Sequence, residues 1–364
     1  KPRPDFEPSH GFGFDEAFDT VGAEVRNIRD NVGLTEVNGF NRIEITGADR
    51  HAFLDRLACG RVQTRPGRIG LAYLLNQHGM LKCEATIANI PASDRGPERV
   101  WFGSAAAAEL HDMDWLCAHL HPGEDVDLRS LTNEQTILVL AGPNARSVLS
   151  TVSRADWSTD AFPWLSVREC FIGIAPATVM GVSFSGELAY EIHVPNESLY
   201  AAYLALRAAG EAHGLRLFGS RAVESMRLEK GFLHWKADIL TEFDPFETGL
   251  DRFVALGKGA FVGKDALLAR QAAGPQRKLV TLEIDAKNAP AHPGASVMAD
   301  NRVVGTVTSG DWGHRVGKNL AYAFVEPDLA RPGQGFGIDM CGQPTPARVI
   351  PPCPYDPGYE RMRS

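Results

Sequence analysis

The 364 residues carry 45 Asp and Glu against 37 Lys and Arg, a net charge of -8, with 44% hydrophobic and 23% charged residues. That length exceeds one hydrophobic core and implies two to three domains of ~150 residues each, and the composition is that of a folded chain rather than a disordered one. The acidic balance lacks the basic surplus of a phosphate-backbone binder, so no nucleic-acid partner is expected.

The longest apolar runs, such as residues 136–141, fall far short of the ~20 residues of a membrane helix. The opening KPRPDFEPSHGFG has no apolar signal core, so no membrane partner is expected. Lys1 rather than Met opens the sequence, which leaves open an upstream tag, targeting segment or domain. Six cysteines (Cys59, Cys83, Cys117, Cys170, Cys341, Cys353) show no CxxC and no paired Cys/His spacing, so no metal site is expected. They read as reduced, mostly buried thiols in a cytosol-like compartment.

Along the chain, Phe14, Phe18, Val21, Val25, Ile28 and Val32 recur at intervals of four and three, predicting one amphipathic helix that ends at Gly33. Residues 42–46 alternate as a strand, and 48–58 place Phe53 and Leu57 on one face of a second helix. Residues 70–75, the loop Asn76-Gln77-His78-Gly79 and residues 80–90 predict a long hairpin. Ser104 is the expected N-cap of an Ala-rich helix to about Leu120, and residues 136–141 a buried strand before a Gly142-Pro143-Asn144 turn and a further helix. From Lys278 the pattern becomes short strands (279–284, 303–308, 320–325, 348–350) between Gly, Pro, Asp and Asn turns, which predicts a small antiparallel barrel after a boundary in 271–276.

Gly11-Phe12-Gly13 follows no strand, so no dinucleotide site is inferred, and HExxH, P-loop and GxSxG motifs are absent. Glu84 interrupts an apolar strand (Leu81, Cys83, Ala85, Ile87) and by alternation points to the opposite face. It is a solvated residue there, or, if that face lines a cavity, a carboxylate with a raised pKa and a candidate proton acceptor. In Ser185-Gly186-Glu187-Leu188-Ala189-Tyr190-Glu191-Ile192-His193, Glu187 is assigned to a turn. Glu191 shares a strand face with His193, where a carboxylate can accept two N–H bonds from a planar heterocycle. Arg227 adjoins the buried stripe of a helix over 220–230 that ends at Gly231. Residues 245–251 and 308–318 form loops of mixed aromatic and charged chemistry.

Taken in order, Leu71-Ala72-Tyr73 with Asn76-Gln77-His78-Gly79-Met80, Ser185-Gly186-Glu187 with Tyr190-Glu191, Arg227-Leu228-Glu229-Lys230-Gly231, Pro245-Phe246-Glu247-Thr248-Gly249-Leu250, Phe261-Val262-Gly263-Lys264-Asp265-Ala266-Leu267 and Val307-Thr308-Ser309-Gly310 resemble the folate-dependent aminomethyltransferase family of the glycine-cleavage T-protein. Leu228-Glu229-Lys230-Gly231-Phe232 with Trp235 and Asp238, Gly313-His314-Arg315-Val316-Gly317-Lys318 and Tyr355-Asp356-Pro357 look most like the C-terminal half of dimethylglycine and sarcosine dehydrogenases and oxidases.

The resemblance implies an α+β, multi-domain T-protein-like fold with a C-terminal antiparallel β-barrel. Residues 1–270 would be the folate-binding region, in two subdomains, and 271–364 the barrel. It implies Glu84 as the catalytic carboxylate, where the family has Asp, with Glu191, Arg227, Tyr355 and Tyr190 as cofactor-binding residues. The implied cofactor is tetrahydrofolate, with no flavin bound by this chain itself. The implied partners are a methylated amine, or an iminium or formaldehyde-level donor, and an FAD-dependent oxidoreductase subunit or domain. The reaction would be transfer of a methylene-level carbon to give 5,10-methylene-tetrahydrofolate; the alternatives are a demethylase passing an intact methyl group and a non-catalytic folate-binding protein. A cytoplasmic location is expected, or the mitochondrial matrix if the source is eukaryotic. Glu191, Arg227 and Tyr355 are expected to converge, with Glu84 facing the ligand.

Overall fold

The computed structural model describes residues 5–7 and 11–364. A six-stranded sheet runs in the order Leu215–Leu217, Val32–Glu36, Gln135–Ala141, Ala189–Pro195, Ala175–Met180, Val167–Ile172. Along each inner strand alternate residues face opposite ways. One face buries Leu34, Leu138, Leu140, Tyr190 and Ile192 under the helices Ala145–Val152 and Leu199–Gly210. The other packs Val139, Ala141 and Ala189 against the helices Phe18–Asp30 and Ser220–Lys230.

The first predicted helix is shorter than its apolar period. Val32 leaves it for a strand paired on both sides, to Leu215 and, through Gly33, to Ala141, and these ladders fix the segment as a strand whatever its local periodicity. Phe14 lies before the helix, with its ring 4.7 Å from that of Phe18 and 6.3 Å from that of Trp312.

A five-stranded sheet takes the order Ile69–Leu75, Leu81–Ile90, Arg99–Gly103, Ile43–Thr46, Asp127–Ser130, and packs Cys83, Ala85 and Ile87 against Phe53, Leu57 and Leu116 of the helices Arg50–Leu57 and Glu109–Ala118. Ser104 caps no helix. A 3₁₀ turn, Ala106–Ala108, precedes Glu109, and the Ser104 hydroxyl donates instead to the buried Asp112 while accepting from Asn41. The hairpin loop closes through Gly79, at φ +75, and a Cβ there would stand 2.9 Å from the Leu267 nitrogen. The loop therefore docks against the helix Lys264–Ala273 only as glycine.

Six antiparallel strands close a barrel in the order Lys278–Ile284, Lys318–Val325, Arg302–Gly313, Ser296–Ala299, Gly335–Met340, Gln343–Ile350, with the last pairing back to the first. Two of these, Ser296–Ala299 and Gly335–Met340, escape the strand pattern. They are short or glycine-interrupted, and their partners rather than their propensity hold them. The two open sheets meet where Ile69, Ile90 and Trp101 bury Val167 and Met180. The barrel seats Leu320 and Tyr322 on Leu228 of the Ser220–Lys230 helix. No helix among the described residues is long and apolar enough to cross a membrane. All six cysteines are free, but only Cys59 and Cys83 are buried; Cys117 and Cys341 are exposed, which corrects the expectation of mostly buried thiols.

Candidate functional site

Glu84 does face away from the Cys83, Ala85 and Ile87 core. Its register partner is Tyr73, and the two side chains share the sheet face opposite that core. Glu84 is half-buried. Burial pushes its pKa up to about 7, against the pull of a hydrogen bond donated by Tyr73. The Tyr73 ring lies 5.1 Å from that of Phe253 and packs in one cluster with Leu81, Trp235 and Ile239. The carboxyl is thus placed in an apolar wall, where it exchanges a proton near neutral pH. Cys83, its neighbour in sequence, turns to the other side and donates its thiol to Asp112 at 3.4 Å. Burial raises its pKa well above the usual value, which keeps it protonated rather than nucleophilic.

Trp235 and Ile239 belong to a turn that also carries Asp238, and Asp238 leads to Arg227. The helix Ser220–Lys230 ends where Gly231 takes φ +78, and it buries Arg227 completely. Every N–H of that guanidinium is engaged: by Glu224, by the Phe232 carbonyl at 3.2 Å, by Asp238 at 2.6 Å and by the Ser309 hydroxyl at 2.8 Å. Asp238 also accepts from the Thr308 and Ser309 hydroxyls, each at 2.6 Å. Ser309 sits within a barrel strand, not in the loop expected at 308–318. Two strand positions on, Asp311 is pushed up to about 6 by burial and by the charge of Glu224. Arg227 therefore joins helix, turn and barrel, and it offers a fixed positive centre rather than free donors.

Glu191 lies in a cross-strand row with Val139 and Met180, on the face toward the second sheet. Its carboxylate is 3.3 Å from His193 Nε2, and the His193 ring stands edge-on to Trp101 at 4.8 Å. Arg42 is buried nearby; desolvation lowers its pKa while the charge of Glu191 opposes that shift. Three buried nitrogens in this seam, Arg42 Nε, His193 Nδ1 and Trp101 Nε1, have no hydrogen-bond partner among the described residues. Unmet polar groups at such a density are those of a site that a polar ligand edge would complete. Tyr190 does not join them. Strand alternation turns it to the opposite face, where its ring packs 6.0 Å from Trp157 and its hydroxyl is buried.

Tyr355 belongs to a third network. Its hydroxyl donates to Glu187 at 2.6 Å, and its ring lies 3.8 Å beneath the guanidinium of Arg29. Arg29 is fully buried and pairs with Glu187 at 2.9 Å and with Glu229 at 2.7 Å. Arg361 donates to the other Glu187 oxygen at 2.8 Å and also to the Arg29 carbonyl. Glu187 lies in the bend ahead of the strand Ala189–Pro195, as expected, and is there a buried ion-pair centre.

The expected convergence of Glu191, Arg227 and Tyr355 is not found as contact: among the described residues each is held by a separate set of partners. Sequence reasoning missed Arg29 and Tyr73 as partners. Tyr73 had a readable signal, since hairpin register places it opposite Glu84; Arg29 had none, because it lies in sequence beside the apolar stripe of a helix and far from both glutamates. No group of three or more His, Cys, Asp or Glu among the described residues is placed to hold a metal ion.

The sequence profile of the GCVT N-terminal domain matches residues 4–258, and that of the glycine cleavage T-protein C-terminal barrel domain matches residues 277–356. Rattus norvegicus dimethylglycine dehydrogenase, mitochondrial, is 32% identical over 352 residues, which are 96% of this chain and 40% of that protein. The chain therefore spans about two-fifths of that relative. The aminomethyltransferase of Thermoanaerobacter pseudethanolicus is 25% identical over 352 residues, 96% of this chain and 94% of that one. The crystal structure of the glycine cleavage system aminomethyltransferase T from Bartonella henselae superimposes with a TM-score of 0.82 at 21% identity, over 94% of this chain and 90% of that one.

Proposed function

We propose that this chain, which belongs to the glycine cleavage T-protein family, transfers a one-carbon unit at the formaldehyde level from a methylated amine to tetrahydrofolate, giving 5,10-methylene-tetrahydrofolate. The observation that carries the reading is Glu84, a carboxyl group set in an apolar wall with a pKa near 7 and held by Tyr73.

Tetrahydrofolate, when bound, supplies the nucleophilic N5 and N10 amines. The seam around Glu191 fits its heterocycle: Glu191 accepts N–H bonds, while the unpartnered nitrogens of Arg42, His193 and Trp101 are donors or acceptors for its polar edge. Glu84 takes up the proton that leaves an amine when it bonds to carbon, and Tyr73 keeps the carboxylate oriented for that transfer. Arg227, fixed by Asp238 and Ser309, places a positive charge beside the Trp235–Ile239 turn. Tyr355 supports the site from the Glu187 network, and Tyr190 from the core beneath Glu191.

An FAD-dependent oxidoreductase, as a further domain or a separate subunit, would oxidise the amine and hand over the electrophilic carbon. This is in keeping with the rat dehydrogenase, of which this chain spans 40%. The cytosol or the mitochondrial matrix is the compartment proposed.

Calorimetric titration of the chain with tetrahydrofolate tests the reading. One-to-one binding that is lost in Glu191→Ala supports it, and absence of binding overturns it. With formaldehyde as donor, enzyme-dependent formation of 5,10-methylene-tetrahydrofolate above the uncatalysed rate, lost in Glu84→Gln, supports transfer at this oxidation level. Formation of 5-methyl-tetrahydrofolate from a methylated amine would support methyl transfer instead.

A further inference from the structure

A cavity of about 650 Å³ is lined by none of Glu84, Glu191, Arg227 and Tyr355. It opens where an isolated bridge between Arg68 and Ser166 joins the second sheet to the outer strand of the first, Val167–Ile172. Three arginines line it: Arg65, Arg68 and Arg168. Two are held in fixed poses. Arg68 donates to the Ser166 hydroxyl at 2.6 Å and to the Trp164 carbonyl at 3.0 Å. Arg168 donates to the Asp156 and Ala161 carbonyls at 2.5 and 2.9 Å, with its guanidinium 5.3 Å from the ring centre of Phe162.

None of the three forms an ion pair with a described carboxylate. Glu169, on the same wall, is already taken by Arg99 at 2.7 Å and by the Ser93 hydroxyl. Asp156 senses the charge of Arg168 but presents it a backbone carbonyl, which leaves Asp160 as the remaining acid of the lining. Burial and the charge of Arg65 both push the Arg68 pKa down, and no acidic group opposes them. The backbone also departs from ordinary geometry here. Leu165 holds φ +63, a left-handed value unusual for a branched residue, clamped by hydrogen bonds to Ile69 and Gly181 at 2.9 Å each. That turn sets the Trp164 carbonyl and the Ser166 hydroxyl on Arg68.

We propose that this cleft is a second ligand site, which takes an oligocarboxylate through Arg65, Arg68 and Arg168. Two guanidinium groups immobilised without a carboxylate partner, with an exposed third beside them, in a recess of ligand size, are matched by carboxylates presented in a row. Two sources share that chemistry: a free dicarboxylate, or the γ-linked glutamyl tail of a polyglutamylated folate. The tail is the source favoured by position, an argument that rests on the function proposed above. Val167, in the cleft wall, pairs with Met180, which pairs with Glu191. The cleft therefore begins two strand spacings, roughly 10 Å, from the proposed pteridine site.

The test uses the full chain and a probe without a pteridine, γ-linked triglutamate, in calorimetric titration. One-to-one binding is expected, weakened at least tenfold in Arg68→Gln and in Arg65→Glu and unchanged in Glu191→Ala. Arg65 is exposed, so its variant keeps the test decisive if Arg68→Gln fails to fold. Glutarate binding as tightly as triglutamate assigns the site to free dicarboxylates and removes the tail. No binding of either at millimolar concentration, or binding indifferent to both substitutions, overturns the proposal. Because the probe carries no pteridine, loss of tetrahydrofolate binding in Glu191→Ala is read separately.

Discussion

Tyr73 and Glu84 stand opposite each other on paired strands, and the phenol donates a hydrogen bond to a carboxyl group that burial has lifted to about 7. This value lies above the ordinary 4.5, so the folded chain keeps a proton that the unfolded chain has released as pH rises between the two. The stability from this group is full below the ordinary value and falls as pH rises through the folded one. The rate of one-carbon transfer is expected to rise with pH, with an inflection within about one unit of 7. Glu84→Gln should abolish that limb and, in urea titrations, lose less stability than the parent over the same window. A flat pH–rate profile would exclude Glu84 as the base.

Tyr73→Phe removes the one hydrogen bond that holds the Glu84 pKa down. The inflection is expected to move upward by roughly 0.4–1 unit, the equivalent of one hydrogen bond, with tetrahydrofolate affinity little changed. A downward shift, or none, would remove Tyr73 from the positioning of Glu84.

Arg29→Met strips Glu229 of its ion-pair partner and leaves Glu187 with Arg361 alone, both carboxylates almost wholly buried. Breaking a buried pair in this way costs about 3–5 kcal/mol, measurable as a fall in the urea midpoint. Adding Glu187→Gln and Glu229→Gln should recover most of it.

Ser309→Ala removes one donor to Asp238 and one acceptor from Arg227. Tetrahydrofolate affinity is expected to fall roughly tenfold, about 1.4 kcal/mol, and further in Asp238→Asn. Calorimetry checks both, and unchanged affinity in the two would make the Arg227 network purely architectural.

The hairpin over 69–90, the barrel and the helix ending at Gly231 were legible because period, turn glycines and caps are local signals. The family was legible as well, since ordered motifs carried it and the matched profiles agree. Contacts across long separations were not. Glu187 was legible as a turn residue but not as an ion-pair centre, because its partners, Arg29 and Arg361, are 158 and 174 positions away. Ser309 read as loop because the strand Arg302–Gly313 contains glycines and a register shift between Val307 and Ser309. Tyr190 and Glu191 are adjacent in any motif, yet alternation sends them to opposite faces of the sheet.

The ion-pair centre at Arg29 has a consequence for the order in which the chain is made. Arg361, which closes over it, is 332 positions later. At roughly 5–20 residues per second, about 15–70 s of synthesis separate the two. Over the last 174 positions of that interval, about 9–35 s, Glu187 waits for Tyr355 and Arg361, so the first helix cannot reach its final environment until residue 361 has been made. Emergence of residues 355–361, rather than of any one sheet, becomes the event that lets the three units lock together. A nascent chain stalled before residue 355 should accordingly remain open to protease near residue 187 after its sheets have formed.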